Sequence, residues 1–335
     1  MTGFPYHAPE ELVAGLERAD SILLATHESP DPDGLGSLIA CGLALGERGR
    51  RVARLQTEEL TDALDWLPGL DRIPPAQPGE TFDLALLFDA HLRSRTGDGV
   101  AALDAADRLM TIDHHPVGPE GCDGDPAWIV EDAPATAMLV LSLLHQLHDL
   151  PLSADKATCL YAGLLTDTGG FRHANTTHDA LLAAADLVND GAQPSAIANR
   201  LMVQRRPQAL RLRAEALLAT DYRLDGAVAL TSVDLPMLER TGGSLADTEG
   251  LVSELVGIEG VAVAALLKQV DAEHWRVSLR AQGDVRVDEI AHRLGGGGHH
   301  RAAAFSTNGG DRNAIEGRLL SEIADALGPS GDASR

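Results

Sequence analysis

The sequence predicts an α/β protein of two domains: an N-terminal domain built on a parallel sheet, then a smaller α/β domain that binds substrate, with a cleft between them. Three observations carry this. The first half alternates short apolar runs with helix-period stretches, the pattern of strands joined by crossover helices. From about residue 224 new strand-like runs begin. At 335 residues the chain also exceeds what one hydrophobic core ordinarily serves. The boundaries read as 1–199 for the first domain, 200–223 for a linking helix, 224–328 for the second domain and 329–335 for a disordered tail.

Each element has its own signal. "SILLAT" (21–26) reads as a buried strand, followed by a helix over "GLGSLIACGLALGERG". "RVARLQ" (51–56), "DLALLF" (83–88) and "RLMTI" (108–112) are three further strand candidates, and the helices between them imply right-handed crossovers. In the second half "GAVALTSV" and "VAVAALLKQ" are strand-like, "HWRVSLRA" alternates, and "RVDEIAHRL" is a short helix before four glycines.

Composition narrows the function. A net charge of −23 disfavours a broad cationic surface for long nucleic acid, which needs many phosphate contacts; a small, highly charged substrate at a local positive centre stays open. The basic residues are 25 arginines and two lysines, Lys156 and Lys268. Residues 199–213, "NRLMVQRRPQALRLR", hold five arginines and no acid and read as a solvated helix face or linker. Cys41, Cys122 and Cys159 have no metal-type spacing and read as reduced thiols. No apolar run reaches membrane-spanning length, and the N-terminus lacks a signal-peptide pattern. The expectation is a cytoplasmic protein with no membrane association.

The stretch "THESPDPDGLGS" (26–37), taken alone, is good turn and N-cap chemistry. Its neighbours change that reading. His27, Asp31 and Asp33 follow the first strand, Asp89 the third, and Asp113, His114 and His115 the fourth. The carboxyl ends of parallel strands face one crevice, so these residues converge. Asp167, in "GLLTDTGGFRHANTT", ends an apolar helical stretch and gains meaning from the other clusters. His27, Asp31, Asp33, Asp89, His114 and Asp167 offer four carboxylates, two imidazoles and no thiolate, which suits Mn²⁺ or Mg²⁺, with Zn²⁺ and Co²⁺ compatible. Six donors exceed the needs of one catalytic ion and suit two ions about 3.5–4 Å apart.

In the second half the glycine run 295–298 has a bland reading as a flexible linker, but it is short and flanked by regular elements. Gly296, Gly297 and Gly298 can bring backbone N–H groups onto a phosphate, with His299 adding charge. Arg280 is either an exposed strand arginine or a bidentate phosphate ligand.

These residues carry a family signature. "HESPDPDGLGS", "FDAHLRSR", "IDHHP" and "LLTDTGGF" resemble, in order, four motifs of the DHH phosphoesterases, and "LGGGGHHRAAAF" (294–305) resembles the glycine-rich hallmark of their associated C-terminal domain. Length and plan are most like the NrnA-type oligoribonucleases and 3′-phosphoadenosine 5′-phosphate (pAp) phosphatases. The resemblance implies Mn²⁺-dependent hydrolysis of short RNA or DNA oligonucleotides (nanoRNA) and of pAp to AMP. It places His27, Asp31 and Asp89 on one ion, and Asp33, Asp89, His114 and Asp167 on a second. Asp113 would orient an imidazole, His115 would act at the scissile phosphate, and the C-terminal domain would grip the far end of the nucleotide. Ala304 and His91 depart from the family pattern. Rival readings are a RecJ-like exonuclease, a pApA or cyclic-dinucleotide phosphodiesterase, a family II pyrophosphatase and a non-catalytic nucleotide-binding regulator. A homodimer is compatible with all of them.

Overall fold

Strand-length apolar runs that must be buried on both sides need helices on both sides, and the chain supplies them. The computed structural model describes residues 5–56, 60, 64–309 and 311–328. The expected disordered tail at 329–335 lies outside them. Two compact units emerge, Met1–Gln204 and Arg205–Arg335.

In the first unit, α1 (Glu10–Arg18) leads into β1 (Ser21–Thr26), α2 (Pro32–Glu47), β2 (Arg51–Arg54), β3 (Leu84–Phe88), α3 (Val100–Asp104), β4 (Leu109–Asp113) and β5 (Ala127–Ile129). Then follow α4 (Thr136–Gln146), α5 (Ala154–Asp167), α6 (His178–Asn189) and α7 (Pro194–Ala198). The sheet is parallel throughout, in the order β2-β1-β3-β4-β5. Its alternate residues feed two cores. Ile22, Leu24, Leu84, Leu86, Phe88 and Ile112 face the helical layer, while Leu23, Ala25, Ala85 and Leu87 pack with Phe82, Ala90 and Leu103 on the other side. Hence the strands read as unbroken apolar runs.

Three details differ from the sequence expectation. β2 stops at Arg54, β4 continues to Asp113, and the three-residue β5 was too short to signal itself. The buried Lys156 on α5 lies 2.7 Å from both Glu47 and Asp149, tying α5 to the end of α2 and to the α4–α5 connection.

The second unit contains α8 (Pro207–Leu218), β6 (Asp221–Arg223), β7 (Val228–Val233), α9 (Leu235–Thr241), α10 (Leu251–Val256), β8 (Val263–Gln269) and β9 (His274–Ala281), then α11 (Val287–Arg293), β10 (Gly297–His299), β11 (Ala302–Asn308) and α12 (Arg312–Leu327). Its sheet runs β10-β11-β9-β8-β7-β6, antiparallel except for β7–β8. One face packs on α11 and α12 through Val277, Leu279, Ile290 and Leu319; the other, over β7 and β8, packs on α8 and α10 through Leu212, Ala216 and Leu255. Within the expected 200–223 linker, α8 is therefore core of this unit, because its apolar face is buried there. Of the five arginines in 199–213, Arg200 lies 3.9 Å from Asp65, Arg206 2.8 Å from Asp247, and Arg213 pairs with Glu254. No helix among the described residues is long and apolar enough to cross a membrane.

Candidate metal centre

Asp31 shows why the turn reading and the metal reading of residues 26–37 are compatible. It is the N-cap of α2, and one carboxylate oxygen accepts from the N–H groups of Asp33 and Gly34, each at 2.9 Å. The same oxygen lies 3.9 Å from His27 Nε2, just past the end of β1. Asp33, in the first turn of α2, is fully buried. Its two oxygens accept from the first amides of α4, Thr136 N at 2.7 Å and Ala137 N at 2.9 Å, where orphan helix donors favour an anion.

Asp89 leaves β3 with φ of 57°, a left-handed backbone that aspartate tolerates better than most residues. It is buried between three imidazoles. Oδ2 is 3.5 Å from His27 Nε2, and Oδ1 is 3.5 Å from His114 Nε2 and 3.6 Å from His115 Nδ1. Oδ1 also accepts from the Thr136 hydroxyl at 2.8 Å. Asp167, the last residue of α5, brings Oδ2 to 3.1 Å from His114 Nε2.

Donor groups thus collect around shared points. His27, Asp31 and Asp89 form one cluster, Asp33, His114 and Asp167 a second, and Asp89, His114 and His115 a third, with candidate ligand atoms within 4.8 Å of one another in each. Asp89 belongs to two of them.

Electrostatics fits a cation here. His27 Nδ1 faces the Glu28 carbonyl at 2.8 Å and His114 Nδ1 the Ala133 carbonyl at 3.0 Å. A carbonyl only accepts, so each Nδ1 carries the proton and each Nε2 is turned toward carboxylates. Among the described residues the buried His114 Nε2 has no well-aligned hydrogen bond, although Asp167 Oδ2 lies 3.1 Å from it. By side chains alone the cluster must hold extra protons. Burial lowers the His27 pKa, but its bonds to Asp31 and Asp89 outweigh this and raise it to about 10. For His114 burial is likewise outweighed, by Asp167 and then Asp33, and its pKa also rises to about 10. Burial, with repulsion from neighbouring carboxylates, pushes Asp33 and Asp167 upward. A divalent cation would relieve both strains at once, satisfying the Nε2 lone pairs and neutralising the crowded acids.

Asp113 stands behind this layer. It is fully buried at the end of β4, and it joins His91 to His115 through its two oxygens.

In the second unit, the register β8–β9–β11 places Lys268 opposite Arg276, and Ala264 and Ala302 opposite Arg280. Lys268, Arg276, Ser278 and Arg280 therefore share one sheet face with Ala302 and Ala304. Burial holds the Arg280 guanidinium and the Lys268 ammonium below their ordinary ranges, and for Lys268 the charges of Arg276 and Arg280 add to the effect. The expected glycine site sits beside this face. Gly298 pairs with Ala303 at φ of 143°, and a β-carbon there would lie 2.5 Å from the Ala302 carbonyl oxygen, so this glycine has a packing reason. Gly296 likewise abuts β11, whereas Gly297 faces open space. The His299 backbone pairs with Ala302, but its side chain lies outside what is described.

Residues 21–164 match the DHH family N-terminal domain, and residues 230–327 match the DHHA1 domain. The chain is 30% identical to the bifunctional oligoribonuclease and PAP phosphatase NrnA of Thermus thermophilus, over 92% of this chain and 91% of that one. The chain belongs to the DHH family. The NrnA of Bacillus subtilis, with the same description, is 28% identical over 88% of this chain and 92% of its own. An exopolyphosphatase-related protein from Bacteroides fragilis shares the fold, with a TM-score of 0.86, 24% identity and coverage of 95% of this chain and 97% of that one.

Two parts of this DHH-family chain escaped sequence reasoning. Thr136 had no signal, because its hydroxyl meets Asp89 only through the fold. Arg276 had one, since Arg276, Ser278 and Arg280 alternate at strand period in "HWRVSLRA"; Lys268 needed the register.

Proposed function

We propose that the chain is a Mn²⁺-dependent hydrolase of very short oligonucleotides and of pAp, using two divalent ions. The enzyme class follows from the family: it is a phosphoric ester hydrolase. The observation that supports the finer reading most is the pair of Nε2 atoms, on His27 and His114, each 3.5 Å from a different oxygen of Asp89.

His27, Asp31 and Asp89 would hold one ion, and Asp33, Asp89, His114 and Asp167 the other. Two divalent cations held there would supply a reactive water nucleophile at neutral pH and would neutralise phosphoryl charge. Oxygen and imidazole donors without thiolate favour Mn²⁺. Asp113 holds the His115 ring through Nδ1, and His115 protonates the leaving oxygen. Lys268, Arg276 and Arg280 receive a phosphate remote from the reacting one, a task suited to clustered cations in a protein of net charge −23. Gly296, Gly297, Gly298 and His299 assist at that remote phosphate.

The test is Mn²⁺-dependent phosphate release from pAp, with product analysis on 5′-labelled oligomers of two to about 24 nucleotides. Rapid turnover of pAp and dinucleotides, falling with length, is expected. Turnover that rises with length and spares pAp would favour an exonuclease of RecJ type. Nucleotide binding without hydrolysis would favour a regulator.

A further inference from the structure

The Asp113 carboxylate divides its hydrogen bonds unequally. Oδ1 accepts from the backbone N–H groups of His114 at 2.7 Å and His115 at 3.1 Å, and from His115 Nδ1 at 2.8 Å. Oδ2 accepts from His91 Nδ1 at 2.7 Å, its one bond among the described residues. His91 is itself held, since its carbonyl accepts from Asp123 N–H at 2.6 Å, and it belongs to none of the three donor clusters. A carboxylate only accepts, so both rings present N–H at Nδ1 and clamp Asp113 from its two ends.

We propose that His91 is a positioning residue that acts through Asp113 to fix the His115 ring for the reaction. This rests on the reading of His115 as the proton donor. Without His91, Oδ2 becomes a buried acceptor with no partner. The cheapest relief is rotation about the Asp113 Cβ–Cγ bond, and that rotation carries Oδ1 away from His115 Nδ1. The two backbone amides resist the swing but cannot replace the bond on Oδ2. The arrangement is the one by which outer hydrogen bonds commonly orient a working imidazole.

Isosteres separate this from a packing role. The amide nitrogen of asparagine stands as many bonds from Cα as histidine Nδ1, and that of glutamine as many as Nε2. His91→Asn should keep the donor, His91→Gln misplace it, and His91→Phe keep the ring without it. The three variants would be assayed as full-length Mn²⁺-loaded enzyme on pAp and a 5′-phosphorylated dinucleotide, alone and combined with His115→Ala. Metal affinity and Tm would be read alongside. We expect His91→Phe to lower kcat about 10- to 100-fold at little-changed KM and metal affinity. His91→Asn should recover most of that loss, His91→Gln little, and none of the three should lower kcat further on the His115→Ala background. Wild-type kcat in His91→Phe, equal losses in the asparagine and glutamine variants, or losses that multiply with His115→Ala would overturn the proposal. Should His91→Phe fail to fold, the asparagine–glutamine comparison still decides it. Undiminished turnover in His115→Ala alone would instead remove the reading of His115 on which the coupling depends.

Discussion

The Thr136 hydroxyl donates to Asp89 Oδ1 at 2.8 Å, so the carboxylate shared by two donor clusters is held by the first residue of a helix 47 positions further along the chain. The Thr136 amide meanwhile binds Asp33. One residue thereby sets the spacing of two buried acids.

That relationship predicts a divergence between two small substitutions. Thr136→Val keeps the shape and the amide but removes the donor. It should weaken Mn²⁺ binding or activity about 10- to 100-fold, as losses of outer hydrogen bonds to metal sites typically do. Thr136→Ser should stay close to wild type. Calorimetric Mn²⁺ titration of both variants checks this, and equal behaviour would show that the hydroxyl does not position Asp89.

Gly163 on α5 lies against the site from behind. A β-carbon there would fall 2.5 Å from Asp33 Oδ1, 2.9 Å from its Cα and 3.1 Å from Ala137 Cβ. Gly163→Ala should therefore destabilise the fold by about 1–3 kcal/mol through overpacking and reduce activity by displacing Asp33. Denaturant unfolding and kcat measured together test it. Full stability and activity would mean that α5 can back away freely.

At the opposite edge of the sheet, Asp83 Oδ2 accepts from the N–H groups of Asp20 and Ser21 at 2.9 and 2.8 Å. The Ser21 and then the Asp20 amide hold this exposed carboxyl below its usual range. A depressed folded-state pKa gives stability that is present above the unfolded value, about 3.9, and is lost as pH falls through the folded one. The Tm of Asp83→Asn should thus lie below wild type at pH 7, and the gap should close toward pH 3. A gap independent of pH would show that charge plays no part.

In the second unit, Arg280→Ala and Lys268→Ala should each reduce kcat/KM on pAp and dinucleotides far more than on a small artificial phosphodiester with no remote phosphate. Binding energy from a distant group can appear in kcat as well as in KM, so the ratio between substrates is the readout. Equal losses on both substrates would assign these cations to the reacting phosphate.

Much of this was legible in the sequence because the information was local. A histidine or aspartate directly after an apolar strand announces its place at the sheet edge, and His27, Asp89 and His114 do gather there with Asp31, Asp33 and Asp167. The rest was illegible because it depends on tertiary approach. The bond from His91 to Asp113 crosses neighbouring strand ends, and the cationic face needs the β8–β9 register. The two lysines carried no local signal, yet one is buried between two acids and the other sits beside Arg276 and Arg280.

The double duty of Asp31 bears on how such a protein could lose its chemistry. Asparagine caps a helix about as well as aspartate. Asp31→Asn would therefore leave α2 intact while removing one of the negative charges facing His27. On the proposed role of Asp31 as a metal ligand, a folded but silent descendant lies one conservative substitution away, whereas alanine at the same position would also forfeit the cap. Among descendants of this chain that have turned from catalysis to nucleotide sensing, asparagine is the residue to look for at position 31.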